Sequence, residues 1–131
     1  RQRQQRQPQR NLLASPNIME VKAVAKFIRI APRKTRLVVG LIRGKSVNEA
    51  RRQLMVSPKL AARTVLKALN SAVANATNNA KLDPTTLIVV KTWVDEGPKI
   101  KRFAPRAQGR ATPIRHRMSH IHVVVSPKIT T

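Results

Sequence analysis

Cysteine is absent from the 131 residues, which removes disulfides, thiolate chemistry and any cysteine-based zinc site. Aromatic side chains are nearly absent: Phe27, Trp93 and Phe103 make up 2% of the chain. The core must therefore be built from Ala, Val, Leu and Ile, and few rings remain to stack on splayed bases. Acids are scarce as well. The five are Glu20, Glu49, Asp83, Asp95 and Glu96; only the last two adjoin, and neighbours on a strand point to opposite faces. That is no constellation for acid–base or nucleophilic catalysis, so no enzyme is expected, and Asp95 and Glu96 read as partners for nearby Lys or Arg. No apolar run approaches the ~20 residues that cross a bilayer, the longest being Leu37–Ile42 and Leu87–Val90.

Positive charge is what the chain has in excess: 27 Lys and Arg against 5 acids, a net charge of +22. A compact body with this charge repels itself unless a polyanion neutralises it, so the partner is nucleic acid or an anionic membrane surface. The basic residues lack a facing stripe of large apolar side chains suited to insertion, which argues against a membrane partner. The hydrophobic share of 41% is ordinary for a globular protein, and the length suits one domain with a modest core.

Residues 1–10 are Arg and Gln with a single Pro and Asn11 beyond; with no apolar side chain to bury, the segment cannot offset its ordering entropy. A disordered basic tail is expected over 1–18, either a solvated extension or an RNA-binding arm. Val21 to Ile30 mixes β-branched residues with Lys22, Lys26 and Arg29 and predicts a strand. Pro32 suits a helix first turn, Leu37, Val38, Leu41 and Ile42 supply its apolar stripe, and Gly44 ends it. Ser46 and Glu49 form a capping box for a short second helix. Ser57-Pro58 signals a third, longest helix, with Ala62, Leu66, Leu69, Val73, Ala76 and Ala80 on one face. After the Asp83-Pro84 turn, Thr85 to Val94 and His120 to Val125 predict a strand pair. The fold class is α+β, a small antiparallel sheet packed on three helices.

Between those last two strands runs an acid-free segment carrying Lys99, Lys101, Arg102, Arg106, Arg110, Arg115 and Arg117. A structureless loop this long inside a compact domain is unusual and is normally functional or disordered. A ribbon over about 97–120, turning near Ala107-Gln108-Gly109, would give limbs of roughly 30–40 Å at ~3.3 Å per residue. Such a long protruding basic β-hairpin has little to pack on, and phosphates would supply its support through counterion release and bidentate guanidinium bonds. Pro98, Pro105 and Pro113 interrupt the ladder, consistent with a bent ribbon. Recognition is expected by shape and phosphate; a nucleoid-type DNA-binding architectural protein is the alternative. His120 and His122 share a strand face but lack a Cys or carboxylate set, so no bound metal and no cofactor are expected.

The runs Val21-Lys22-Ala23-Val24-Ala25-Lys26, Ile28-Arg29-Ile30-Ala31-Pro32-Arg33-Lys34, Leu41-Ile42-Arg43-Gly44-Lys45 and Pro105-Arg106-Ala107-Gln108-Gly109-Arg110-Ala111 closely resemble the bacterial-type family of large-subunit ribosomal protein L twenty-two. The likeness extends over Met19 to Lys128 and includes Asn70-Ser71-Ala72, Asp95-Glu96-Gly97-Pro98 and Ser119-His120-Ile121. The resemblance implies a structural constituent of the large subunit that binds its ribosomal RNA, supports assembly, and lines the nascent-peptide exit tunnel with its hairpin tip. It also implies neighbouring ribosomal proteins and the nascent peptide as partners, with no homo-oligomer. Its location would be the cytoplasmic ribosome of a bacterium, or the ribosome of a mitochondrion or plastid; the chain starts at Arg1 rather than Met, and residues ahead of it, including a targeting peptide, are compatible with this reading.

Residue by residue, the resemblance places Arg106, Ala107, Gln108, Gly109 and Arg110 at the tunnel tip. Ile100, Lys101 and Arg102 fall in the segment where family changes give macrolide resistance. The expected RNA-binding residues are Arg29, Arg33, Lys34, Arg36, Arg43 and Lys45 on the globular part, and Lys99, Lys101, Arg102, Arg115 and Arg117 on the arm. The domain is expected to span 19–128, arm included, with a short tail at 129–131. Ala31 stands where members have Ser, so the first helix should lack a side-chain cap worth about 1 kcal/mol. His116 and His122 occupy variable positions and carry no expected pH function.

Overall fold

A computed structural model describes residues 19–128; the tails expected over 1–18 and 129–131 lie outside the described residues. The order is β1 (Val21–Ile28), α1 (Pro32–Ile42), α2 (Val47–Val56), α3 (Leu60–Asn78), β2 (Leu87–Glu96), β3 (Ile100–Pro105), β4 (Ala111–His116) and β5 (Ser119–Pro127). A three-stranded antiparallel sheet has the order β1-β5-β2, so the last strand in sequence is its centre. β3 and β4 form a separate two-stranded sheet. The α+β class is that read from the sequence.

The start and stop signals act largely where they were read. Pro32 opens α1 behind an Ala31 that makes no side-chain cap bond, and Gly44 beyond its end takes φ 79°, a left-handed value that costs glycine little. Ser46 Oγ accepts the Glu49 N–H at 3.4 Å, which is the Ser46 half of the capping box. The Ser57-Pro58 signal is displaced: α3 starts at Leu60 behind an uncapped Lys59, and Ser57 Oγ accepts the Lys59 N–H instead.

α3 turns Ala61, Ala62, Val65, Ala68, Leu69, Ala72, Val73 and Ala76 inward; of the stripe read from spacing, Leu66 is only partly buried and Ala80 lies beyond the helix end. Its small side chains let the helix approach the sheet closely. Ala23, Ile121, Val123, Val125, Leu87, Val89 and Val94 meet it and α1 from the sheet, with Val38, Val39 and Ile42 from α1. Fully burying each Val, Leu or Ile contributes about 1.5–3 kcal/mol, so the aliphatic core compensates for the missing aromatics. Two buried hydroxyls are satisfied by backbone carbonyls, Thr35 Oγ1 donating to Ala31 one turn back and Ser119 Oγ to Ile30 at the far end of the chain.

A β-bulge in β2 decides which of its residues are inside. The register with β5 shifts between Val89 and Lys91. Strict alternation from Leu87 and Val89 would bury Lys91 and Trp93; the extra residue puts Thr92 and Val94 inside instead, and leaves Lys91 and Trp93 on the outer face. A second shift, between Ala25 and Ile28, lies at the end of β1.

Candidate nucleic-acid interface

β3 and β4 pair from Ile100 opposite His116 to Pro105 opposite Ala111. Nearly all their side chains are exposed, so apolar packing does little to hold them. Lys101 stands directly opposite Arg115, and like charges at facing positions destabilise a strand pair. An anion between them would reverse the sign of that contribution. Phe103 lies opposite Pro113, and Arg102 opposite Ile114. At the turn the Arg106 N–H donates to the Arg110 carbonyl at 2.6 Å, while Gln108 and Gly109 take φ 62° and 71°, two successive left-handed residues that reverse the chain. Arg106, Ala107, Gln108, Gly109 and Arg110 are all exposed.

The base of this ribbon is narrow. The Gly97 N–H donates to the Met118 carbonyl at 2.8 Å, and a Cβ on Gly97 would come within 3.1 Å of the Met118 Cβ and 3.3 Å of its backbone. Beside this clamp is a groove of about 600 Å³ lined by Arg29, Ala31, Ile100, Arg102, Arg115, His116, Arg117 and Met118. Four guanidinium-bearing side chains thus converge there without an acid, one from the turn after β1 and three from the arm. Arg33 and Lys34 follow on the first turn of α1 and are exposed. Lys99 lies exposed in the link between β2 and β3.

The remaining residues read as RNA-binding on the globular part sit elsewhere, along the free edge of β2. Gly44 N–H donates to the Val89 carbonyl, and the Val89 N–H to the Lys45 carbonyl. Farther along, Arg43 Nη2 reaches the Thr92 carbonyl at 2.7 Å and Arg36 Nη2 the Val94 carbonyl at 3.2 Å. Three successive outward carbonyls are therefore covered by one backbone and two side-chain donors. Charge alone gives no sign that a cation is already engaged in this way.

The outer face of the sheet holds a feature that the low aromatic content concealed. The order β1-β5-β2 gathers rings from distant parts of the chain: Trp93 stacks on His122 with centroids 4.7 Å apart and planes 8° from parallel, and Phe27 meets His120 edge-on at 5.1 Å. Lys22 Nζ lies 5.1 Å from the Trp93 ring, within cation–π range. Asp95 pairs with His122 Nε2 at 2.9 Å, and Glu20 with Lys91 at 3.7 Å. The partner of Asp95 is thus a histidine rather than the Lys or Arg expected, because the β2–β5 register sets His122 beside Trp93 on that face.

Burial pushes the His122 imidazole below its ordinary value of 6.5, and the Lys22 ammonium adds to this; the Asp95 carboxylate pulls the other way without prevailing. The neutral ring donates Nε2–H to Asp95, which leaves Nδ1 buried without a partner among the described residues. His120 Nδ1 accepts the Phe27 N–H at 3.1 Å. Among the described residues no group of three His, Cys, Asp or Glu side chains could hold a metal ion. Among the same residues no helix is long and apolar enough to cross a membrane. Residues 23–126 match the family model described as Ribosomal protein L22p/L17e.

Proposed function

Because this chain belongs to the ribosomal protein L22p/L17e family, whose members are structural proteins of the large ribosomal subunit, we propose that it grips large-subunit ribosomal RNA at the base of its arm. The observation that carries this reading is the acid-free groove in which Arg29 meets Arg102, Arg115 and Arg117. A phosphate there neutralises several cations at once and can accept bidentate guanidinium bonds. Arg33, Lys34 and Lys99 extend the contact to either side. Arg36, Arg43 and Lys45 keep unused donors and contribute from the β2 edge.

The arm inserts between RNA helices, which hold it in shape by placing phosphate beside the facing Lys101 and Arg115. Its tip, Arg106 to Arg110, reaches the wall of the nascent-peptide exit tunnel, and neighbouring large-subunit proteins complete the surroundings. The protein acts as a single copy, on the ribosome of a bacterium, mitochondrion or plastid.

Filter binding of the full chain to large-subunit ribosomal RNA, and to duplex DNA of equal length, tests the reading. The RNA should bind more tightly, and replacing Arg102, Arg115 and Arg117 by Ala should weaken it while flattening the dependence on salt. Equal affinities with equal salt slopes would favour a DNA-architectural protein instead.

A further inference from the structure

Phe27 is exposed to 61% although it is one of only three aromatic side chains in the sequence. Its backbone lies at φ 58°, the left-handed region in which the Cβ of an L-residue crowds the backbone and a bulky side chain is a genuine outlier. Core packing does not demand this, because the ring points away from the core. Asn would meet the dihedral with less strain.

A register shift allows the conformation and two contacts hold it in place. The register of β1 shifts between Ala25 and Ile28, which frees Phe27 from the ladder. Its N–H is caught by His120 Nδ1 at 3.1 Å, and its ring meets the His120 ring at 88°. Strain kept by surrounding structure and used to expose a ring is a signature of a binding site. The flanking residues Lys26 and Arg29 are exposed, Arg29 also lines the arginine groove, and the acid nearest in register, Asp95 opposite His120, is already paired with His122. The ring thus stands two residues along the chain from an arginine of the groove proposed to hold phosphate.

We propose that Phe27 is a stacking platform for one unpaired base of the ribosomal RNA, with Lys26 and Arg29 holding the phosphates on either side. Every base has a π-face, so stacking would fix where a looped-out nucleotide sits without demanding its identity. The cations around the ring favour a nucleotide over an apolar protein side chain, which would leave them unpaired. The proposal rests on the RNA-binding reading above and adds to it a contact of a different kind, one that salt should weaken little.

The test uses the full chain and transcribed large-subunit ribosomal RNA, with Phe27→Asn, Phe27→Tyr and the double variant Arg102→Ala/Arg115→Ala. Phe27→Asn should lose roughly five- to hundredfold in affinity, with the salt slope unchanged and the thermal midpoint not lowered. One or two nucleotides should gain chemical reactivity, and Phe27→Tyr should restore both affinity and protection. The double variant should lose affinity together with salt slope. If Phe27→Asn binds like the parent while the double variant weakens, the stacking platform is wrong and the RNA reading stands. If neither variant weakens binding, the RNA reading itself fails. A loss in Phe27→Asn that is spread over the whole arm footprint, or that Tyr does not restore, also overturns the proposal.

Discussion

Arg43 Nη2 donates to the backbone carbonyl of Thr92 at 2.7 Å, so a side chain of the connection after α1 finishes the hydrogen bonding of an edge strand. Among the described residues β2 has a strand partner, β5, on one side only; on the other side the Gly44–Ser46 segment bonds only its first part, and an open strand edge is a template for pairing with other chains. Arg36 does the same for Val94 at 3.2 Å.

Replacing Arg43 by Ala should cost about 1–2 kcal/mol, since a partly buried carbonyl loses its charged donor. Replacing the exposed Arg33 should change stability by no more than about 0.5 kcal/mol. Urea denaturation of the two variants checks the contrast; equal losses would show that the edge bonds carry no special weight.

Gly97→Ala should loosen the base of the arm. The new methyl would stand 3.1 Å from the Met118 Cβ and 3.3 Å from its backbone, so either the Gly97 N–H bond to Met118 lengthens or the limbs part. Amide exchange should quicken along β3 and β4 while α3 keeps its protection, and RNA affinity should fall without any change in charge.

The double variant Arg106→Ala/Arg110→Ala should melt like the parent, because both side chains are exposed at the turn and neither lies in the core. On ribosomal particles, the expected change is confined to the neighbourhood of the tip. Loss of a cooperative thermal transition would contradict this.

His122 gives a pH dependence whose sign follows from its surroundings. Its folded value lies below the ordinary 6.5, so the unfolded chain takes up the proton first. The stability it contributes is complete above about pH 6.5 and is lost as the pH falls through the folded value. Trp93, the single tryptophan, stacks on this ring, so its fluorescence should step with a midpoint below 6.5, and His122→Gln should abolish the step.

Local signals made the helices legible: Pro32, Gly44 and the Ser46–Glu49 pair each act within a few residues. The third helix start was misplaced because Ser57 engages Lys59 before the helix begins. The arm was legible from its charge and its place between two strands. The bulge at Val89–Lys91 was not, since nothing in the run Leu87 to Val94 marks where an extra residue enters; only the conflict between alternation and a buried Lys91 hints at it. The aromatic patch was illegible for a topological reason. Phe27, Trp93, His120 and His122 meet only because β5 lies between β1 and β2, and no local spacing encodes that order. Arg36 and Arg43 looked like free cations because engagement depends on a strand about fifty residues away.

The central position of β5 also sets an order of events during synthesis. β1 and β2 share no partner until the final strand emerges, by which time both limbs of the arm have been made. Adding that strand closes the sheet and, because Met118 immediately precedes β5, brings Met118 up to Gly97. Until then the contacts most distant in sequence, those of β1 with β5, are still to form, the slowest kind to acquire. A polyanion met at that stage would bind a chain whose limbs are still free to move around it.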